Sequence, residues 1–321
     1  MVTTPMIGKY SRTLYYVSRN LLRRSGMFPL YASYKVTSRC AQRCSHCYVP
    51  RELPTPDADT ASAKEIVKNL ASSSPLVLAF EGGEPFLRDD LEELVESAKR
   101  FHILVSIVTS YPEEAQGRHG RLARYVDFLQ VSLDEGHDNL HLFERLSGIR
   151  NAWRGRVCVQ TVVTAETLGA VEEKARKARE HGCKILFIPL SPIYPELAGL
   201  SPERVAFAKK VRTLKKKYPG TVICSRRFLN SYTKAKGCTT SSIVIDSDGG
   251  LFYPCHVLKT KAFSLLDGRL EDFLVSDEAG LLRMRMDECS RGCAWYQYFA
   301  LSLTSVRDLP NDIMSSLERI T

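Results

Sequence analysis

The sequence predicts an α/β protein built around a parallel β-sheet. Apolar strand-like segments alternate with helix-like segments six times between residues 31 and 190, and this alternation is typical of a parallel sheet covered by helices. The chain has 321 residues, 44% of them hydrophobic, which is enough for one large domain and a smaller one. Six strand–helix units are too few to close an eight-unit barrel.

The predicted elements follow one another along the chain. The strands are the segments 31–38, 76–80, 103–110, 127–134, 157–164 and 183–190, and the helices lie near 61–72, 89–101, 138–153 and 167–182. The helix at 89–101 has acidic residues in its first turn and basic residues in its last, as the helix dipole favours. Cys158 and Cys183 lie within apolar strand patterns, so we expect them to be unreactive core residues.

A basic segment precedes the first strand. Residues 1–30 contain five Lys or Arg and no acid. Within 9–24, four apolar residues recur at helical spacing: Tyr10, Leu14, Val17 and Leu21. We therefore predict a basic amphipathic helix, which either packs against the main domain or lies on an anionic membrane surface.

A second basic segment follows the sixth strand. Residues 202–236 hold eleven Lys and Arg against the single acid Glu203, within a chain of net charge +9. Ser201 and Pro202 predict a helix start, and Pro219 with Gly220 ends it. A patch of one sign attracts nucleic acid, lipid headgroups or carboxylated substrates, although a solvated basic face accounts for it equally well.

Cysteine usage and hydropathy bear on where the protein works. The chain has ten cysteines, no apolar run typical of a signal peptide and no stretch of about 20 apolar residues that could span a membrane. This combination argues against a secreted disulfide framework and favours a reducing cytoplasm. We expect a cytoplasmic protein, with peripheral membrane contact left open by the basic N-terminal segment.

Three cysteines within eight residues are the strongest chemical signal. Cys40, Cys44 and Cys47 form the pattern C-x3-C-x2-C. A 4Fe–4S cluster that only carries electrons normally has four cysteine ligands, so three thiolates would leave one iron open to a small molecule. Two other interpretations remain: buried cysteines along one helix face, or a zinc site completed by His46.

Together with a second motif, this loop resembles the radical SAM superfamily. Some forty residues after the triad come Gly82-Gly83-Glu84-Pro85, which is similar to the family's GGEP element at the end of the second strand. The resemblance implies that the open iron chelates S-adenosylmethionine (SAM). An electron from the cluster then cleaves the sulfonium to give a 5′-deoxyadenosyl radical, which removes hydrogen from a substrate.

The resemblance also implies a fold and a set of cofactor contacts. The fold is a partial (β/α)6 TIM-like barrel with the site at the carboxyl ends of its strands. Thr164 and Pro189 are further candidates for contact with the SAM adenine. The cofactor-binding candidates are Tyr48, Gly82, Gly83, Glu84, Pro85, Thr109, Ser132, Asp134 and Thr161.

Four more cysteines lie near the C-terminus: Cys238, Cys255, Cys289 and Cys293. The segment IVIDSDGGLFYPC between the first two has the alternation and Asp-Gly-Gly turn of a β-hairpin, and the segment 276–293 reads as a helix. The block resembles the SPASM and twitch extensions of radical SAM enzymes. That resemblance implies a second, auxiliary 4Fe–4S cluster with four cysteine ligands, with zinc as the alternative. His256, beside Cys255, is expected to lie either at the surface or next to the ligand cysteines without binding the metal.

The resulting domain prediction has four parts. They are an N-terminal helix at 1–30, a radical SAM core barrel at 31–200, a basic helix and connector at 201–236, and a cysteine-rich hairpin-plus-helix domain with a C-terminal tail at 237–321. Only 39 residues precede Cys40, which we expect to be too few for a cobalamin domain or a separate peptide-binding domain.

The predicted function is that of a radical SAM enzyme of oxidoreductase or maturase type. Its substrate is left open between a peptide, a carboxylated cofactor precursor and a lipid, and a flavodoxin or ferredoxin is the expected one-electron reductant. The alternative is a metal-stabilised nucleic-acid-binding protein without SAM chemistry, using its basic segments on phosphates. That alternative leaves the GGEP element unexplained.

Overall fold

One continuous nine-stranded sheet runs through the computed structural model of the chain. The described residues are 6–23, 27–52, 54–111, 119–154, 156–191, 195–234, 240, 242–290, 293 and 295–300. The strands are β1 (Tyr31–Thr37), β2 (Val77–Gly82), β3 (Leu104–Thr109), β4 (Phe128–Ser132), β5 (Val157–Val163), β6 (Lys184–Pro189), β7 (Ser242–Ile245), β8 (Gly250–Phe252) and β9 (Lys261–Ser264). Their order across the sheet is β6-β5-β4-β3-β2-β1-β7-β8-β9.

Helices cover the sheet and connect its strands. They are α1 (Met6–Arg23), α2 (Thr60–Ala71), α3 (Leu91–Arg100), α4 (His119–Tyr125), α5 (Leu146–Ala152), α6 (Val171–Glu180), α7 (Arg204–Lys217), α8 (Arg226–Lys234), α9 (Leu270–Leu274), α10 (Asp277–Asp287) and α11 (Tyr296–Ala300). The buried positions of α2, α3 and α6 recur every three or four residues and belong to the main core.

The strands β1 to β6 are all parallel to their neighbours. Every residue of β1 is buried, as expected where a parallel sheet is covered on both faces. The predicted α/β class and parallel sheet are therefore confirmed, and the open six-strand arrangement matches a partial barrel. The carboxyl ends of all six strands lie at the same edge, which is where parallel α/β folds place their chemistry.

The cysteine-rich C-terminal region joins this sheet directly. Strand β7 pairs in parallel with β1, from Tyr31 opposite Ser242 to Tyr34 opposite Ile245. Strand β8 then returns antiparallel to β7, which confirms the predicted hairpin. Gly249 has φ of +87° in the connecting turn, a conformation that glycine adopts readily.

Some elements differ from the sequence prediction. The single helix predicted at 138–153 is a 3₁₀ segment at Leu140–Arg145 followed by α5. Asp138 has φ of +52°, so the chain is still in a turn where the helix was predicted to begin. Helix α4 was not predicted, since its short sequence carries little apolar periodicity.

The N-terminal helix exists, and its packed face is shifted from the predicted stripe: Val17 and Leu21 are half-buried. Tyr16 and Asn20 are buried, and the side-chain amide of Asn20 bonds both the N–H and the C=O of Phe28, at 3.0 and 2.8 Å. Tyr16 donates a hydrogen bond to Glu271. Leu14, predicted as part of the apolar stripe, is 67% exposed. The predicted apolar stripe was therefore wrong at Leu14. The helix is oriented instead by the buried polar side chain of Asn20, which bonds to Phe28.

Candidate active site

A cavity of about 280 Å³ opens at the carboxyl ends of the parallel strands. All three cysteines of the C-x3-C-x2-C loop line it, opposite residues from the ends of β2 to β6. The lining residues from these strand ends include Gly82, Thr109, Ser132, Val162 and Pro189. The fold therefore places the predicted cysteine triad in a recess large enough to hold small molecules.

Hydrogen bonds within the cysteine loop hold its backbone in place. The N–H of Cys47 donates to the C=O of Cys44 at 3.1 Å, and the Arg51 guanidinium donates to the carbonyls of Cys47 and Ser45. Burial, reinforced by the two neighbouring thiols, raises the pKa of Cys47 to about 11. A thiol in such a site becomes a thiolate when a metal binds it.

The GGEP element is packed against the cysteine loop. The N–H groups of Gly83 and Glu84 donate to the carbonyls of Thr37 and Arg39, at 2.7 and 2.9 Å. Gly82 has φ of +126°, and a Cβ on either glycine would lie under 3.0 Å from one of these carbonyl oxygens. The two glycines are therefore required for the end of β2 to approach the loop that carries Cys40.

The acidic side chain of the GGEP element turns away from the cavity. Glu84 is buried, and its carboxylate accepts hydrogen bonds from the side chains of Thr109 and Ser110 and from the N–H of Phe86. Burial raises the pKa of Glu84, and these hydrogen bonds oppose the rise. Glu84 ties β2 to β3, and neither it nor Pro85 lines the cavity.

The two candidates at the end of β4, Ser132 and Asp134, have different surroundings. Ser132 lines the cavity. Asp134 does not, because its carboxylate accepts from His137 Nδ1 at 2.8 Å and from the N–H of Val162 at 3.0 Å. Burial lowers the pKa of His137, but the hydrogen bonds to Asp134 and to Cys44 outweigh it and raise that pKa to about 9.

Strand alternation decides the position of the β5 candidate. The hydroxyl of Thr161 is buried and accepts from Lys174 of α6 at 3.2 Å, so it faces outward from the cavity. Its neighbours Gln160 and Val162 line the cavity instead, as a period of two requires. Thr164 bonds to Thr167 and is likewise outside the lining, whereas Tyr48 and Pro189 belong to it.

His46, which the sequence offered only as a possible zinc ligand, lines the cavity, and the sequence prediction missed five further polar side chains there: Glu81, Gln130, His137, Gln160 and Gln297. Gln160 donates to Gln130, which donates to Ser106 at 2.6 Å. Gln130 shares a strand face with Ser132, two residues on, so alternation could have identified it. Gln297 comes from α11, far along the chain, and no local pattern indicates it.

The C-terminal cysteines gather beside the hairpin. Cys255 is buried, and Cys289 and Cys293 are half-buried. Burial raises the pKa of Cys255 to about 11, and the nearby thiols of Cys293 and Cys289 add to this. Cys255 packs with Phe252, Val257 and Tyr298 in a small apolar cluster that Cys293 and Trp295 adjoin. The predicted fourth ligand, Cys238, lies outside the described residues.

The second basic segment is largely engaged in contacts outside the cavity. Lys210 and Lys217 of α7 pair with Glu172 at 2.9 and 2.7 Å. Lys215 donates to the carbonyl of Cys224, and Arg212 to that of Leu229. These contacts favour the interpretation of this segment as a solvated helix face.

Fold and site together define an enzyme whose chemistry is at the carboxyl ends of a partial parallel barrel, with a three-cysteine loop at its centre. Residues 34–196, half of the chain, match the family described as Radical SAM superfamily. The chain therefore belongs to the radical SAM superfamily. Its cofactors are SAM and a 4Fe–4S cluster.

Two curated relatives illustrate the similarity. The PqqA peptide cyclase of Gluconobacter oxydans is 30% identical over 163 residues, covering 47% of this chain and 44% of the relative. The mycofactocin maturase MftC of Mycolicibacterium smegmatis is 27% identical over 183 residues, covering 51% and 45%. The chain thus spans less than half the length of these relatives.

Solved structures share the fold. The enzyme anSMEcpe with bound AdoMet and Cp18Cys peptide gives a TM-score of 0.63 at 18% identity, covering 91% of this chain and 95% of that chain. SuiB of Streptococcus suis bound to S-adenosylmethionine gives a TM-score of 0.65 at 13% identity, covering 80% of this chain and 68% of that chain.

Among the helices that the structure describes, none has the length and apolar character needed to cross a membrane.

Proposed function

We propose that this radical SAM enzyme cleaves SAM reductively at Cys40, Cys44 and Cys47 and uses the product to modify a peptide. The observation that carries the first half is the cavity itself, where all three cysteines face the glycines of the GGEP element. When bound, the cluster and SAM supply an electron and a 5′-deoxyadenosyl radical that takes hydrogen from the substrate.

The protein's own residues position the reactants and exclude water. Gly82 and Gly83 bring backbone to the cysteine loop without intruding side chains. Leu186, Ile188 and Leu190 give β6 and the residue after it an apolar surface in the cavity. Such a surface keeps water from a reactive intermediate.

The peptide substrate is supported by the relatives and by the lining of the cavity. One relative is a peptide cyclase by name, and MftC is a maturase by name. The described lining residues include no lysine or arginine, so they lack the guanidinium or ammonium group that commonly binds a carboxylate. Its amide side chains, such as Gln130 and Gln160, can instead pair with peptide groups.

The test is anaerobic reconstitution followed by dithionite and SAM. Wild-type protein should form 5′-deoxyadenosine, and the variant with Cys40→Ala, Cys44→Ala and Cys47→Ala should form none while it remains folded. A variant with Cys158→Ala is the matched control, because Cys158 is a core cysteine outside the cavity lining. Product formation by the triple variant would refute the assignment of these cysteines.

The peptide half is tested separately with short peptides encoded beside the gene. A peptide uniformly labelled with deuterium should transfer deuterium into 5′-deoxyadenosine and change mass. SAM cleavage without deuterium transfer from any such peptide would leave the radical chemistry standing and reject the peptide substrate.

A further inference from the structure

A cluster of three polar side chains lies directly against the cysteine loop. His46 comes from within the loop, and Asp134 and His137 come from the turn after β4. Their ligand-type atoms all lie within 4.8 Å of one another, and the two imidazole rings are 4.9 Å apart. A Cβ on Gly136 would lie under 3.0 Å from His46, so the turn packs on the loop without intervening space.

Asp134 fixes the orientation of His137. One carboxylate oxygen accepts from both Nδ1 and the backbone N–H of His137, at 2.8 and 3.1 Å, and the other accepts from the N–H of Val162 at 3.0 Å. The Asp134 side chain is almost fully buried. The opposite edge of the His137 ring is therefore held toward the cavity, which Cys44 also lines.

We propose that His137 is a positioning residue for the cluster at the cysteine triad, donating a hydrogen bond to the Cys44 sulfur and raising the cluster's reduction potential. Asp134 orients His137 against the cysteine loop, as carboxylates orient histidines beside metal sites. The inference rests on the proposed function only in taking the triad as the cluster's ligands.

The direction of the effect follows from charge. Hydrogen bonds to the sulfurs are among the factors that set the potential of an iron–sulfur cluster. The reduced cluster carries one more negative charge, and a donor binds a more anionic acceptor more strongly. His137 therefore stabilises the reduced form more than the oxidised form.

A single metal ion among the three side chains is the competing explanation. His46 and His137 with Asp134 form a two-histidine, one-carboxylate set. However, three N–H groups already occupy the Asp134 oxygens. An ion would have to displace them, so the hydrogen-bonded arrangement is the better account.

The test is a redox titration of full-length reconstituted protein followed by electron paramagnetic resonance. The signal of the triad cluster is identified by its change when SAM is added. His137→Phe should shift the ratio of oxidised to reduced cluster at least tenfold toward the oxidised form, which is about 59 mV for one electron. His137→Gln keeps a donor and should shift it less. His141→Phe is the matched control, because His141 is exposed on the next turn and should leave the potential unchanged.

Iron content separates the outcomes. An unchanged potential in His137→Phe at normal iron content would overturn the proposal and leave His137 as a residue that only supports the turn. If His137→Phe loses its iron, Asp134→Asn replaces it, with a smaller shift in the same direction expected and no shift counting against the proposal. A further metal ion in wild type, lost in His137→Phe, would support the competing ion. A wild-type triad without any cluster would refute the proposed function itself.

Discussion

Gly83 controls how closely the end of β2 approaches the residue that precedes Cys40. A Cβ here would lie under 3.0 Å from the backbone oxygen of Arg39, and backbone cannot yield as a flexible side chain does. Gly83→Ala should therefore displace the cysteine loop, lowering both the iron bound at the triad and the affinity for SAM. We expect at least a tenfold loss of SAM affinity, about 1.4 kcal/mol, measured by calorimetry beside an iron assay.

Gly148→Ala is the matched control for this substitution, because nothing lies within 4 Å of the added Cβ. Wild-type iron and SAM affinity in Gly83→Ala would show that the loop tolerates the displacement. The motif indicates which residues matter but not which backbone they touch.

The residues of the site were predictable where a spacing carries the chemistry. The triad and the two glycines were identified from the chain, and the structure places all five in the cavity lining. Asp134 and Thr161 were expected near SAM as well, but their side chains bond to His137 and Lys174 instead. Side-chain direction at a strand end depends on tertiary partners, which a motif does not encode.

Among the elements, α1 is attached in part through the polar side chain of Asn20. Asn20 satisfies the buried N–H and C=O of Phe28. Asn20→Ala would leave both groups without their partner and should lower the free energy of unfolding by about 1–3 kcal/mol, measured by urea denaturation. Leu22→Ala, at an 84% exposed position of the same helix, should change it by less than about 0.5 kcal/mol. Equal effects would mean that the Asn20 contacts do not hold the helix.

The exposed face of α1 also bears on the proposed lipid contact. Leu14, Tyr15 and Leu22 are exposed and fall within one third of the helical circumference. If this face docks on anionic lipid, binding to anionic vesicles should weaken with salt and fall on Leu14→Ser with Leu22→Ser. Leu281→Ser, at an exposed position of α10, is the control. Negligible binding to anionic and neutral vesicles alike would leave α1 as a packing element.

Elements with strong periodicity were predicted well, whereas the pairing between strands distant in the sequence was not. The six parallel strands and the hairpin follow from apolar runs and a glycine turn. The pairing of β7 with β1 was not foreseen, because it joins segments about 210 residues apart and no local pattern reports such a contact. The sheet therefore crosses the boundary predicted at residue 237.

At the scale of the whole molecule, the two cysteine sites are joined by a small set of side chains. Tyr48 follows Cys47, His256 follows Cys255, and their rings are 5.0 Å apart. Lys35 of β1 lies 3.0 Å from the His256 ring and 3.7 Å from Glu52 of the cysteine loop. Burial lowers the pKa of Lys35, and the nearby carboxylates oppose this. We therefore expect that removing the cysteines of one site affects the other site.

Metal content and unfolding together test this coupling. Wild-type protein should bind about eight irons, the content of two 4Fe–4S clusters, and a variant with Cys255→Ala, Cys289→Ala and Cys293→Ala should keep about four. Because β7 continues the sheet from β1, we expect this variant to unfold at a lower temperature in one transition that includes the barrel, as seen by calorimetry. Cys224→Ala, at a buried cysteine beside β6, controls for the loss of a core thiol.

About four irons with one zinc in the wild-type protein would identify the second site as a zinc site. Two separate transitions, with the barrel's unchanged, would show that the region after residue 237 is an independent unit despite the shared sheet.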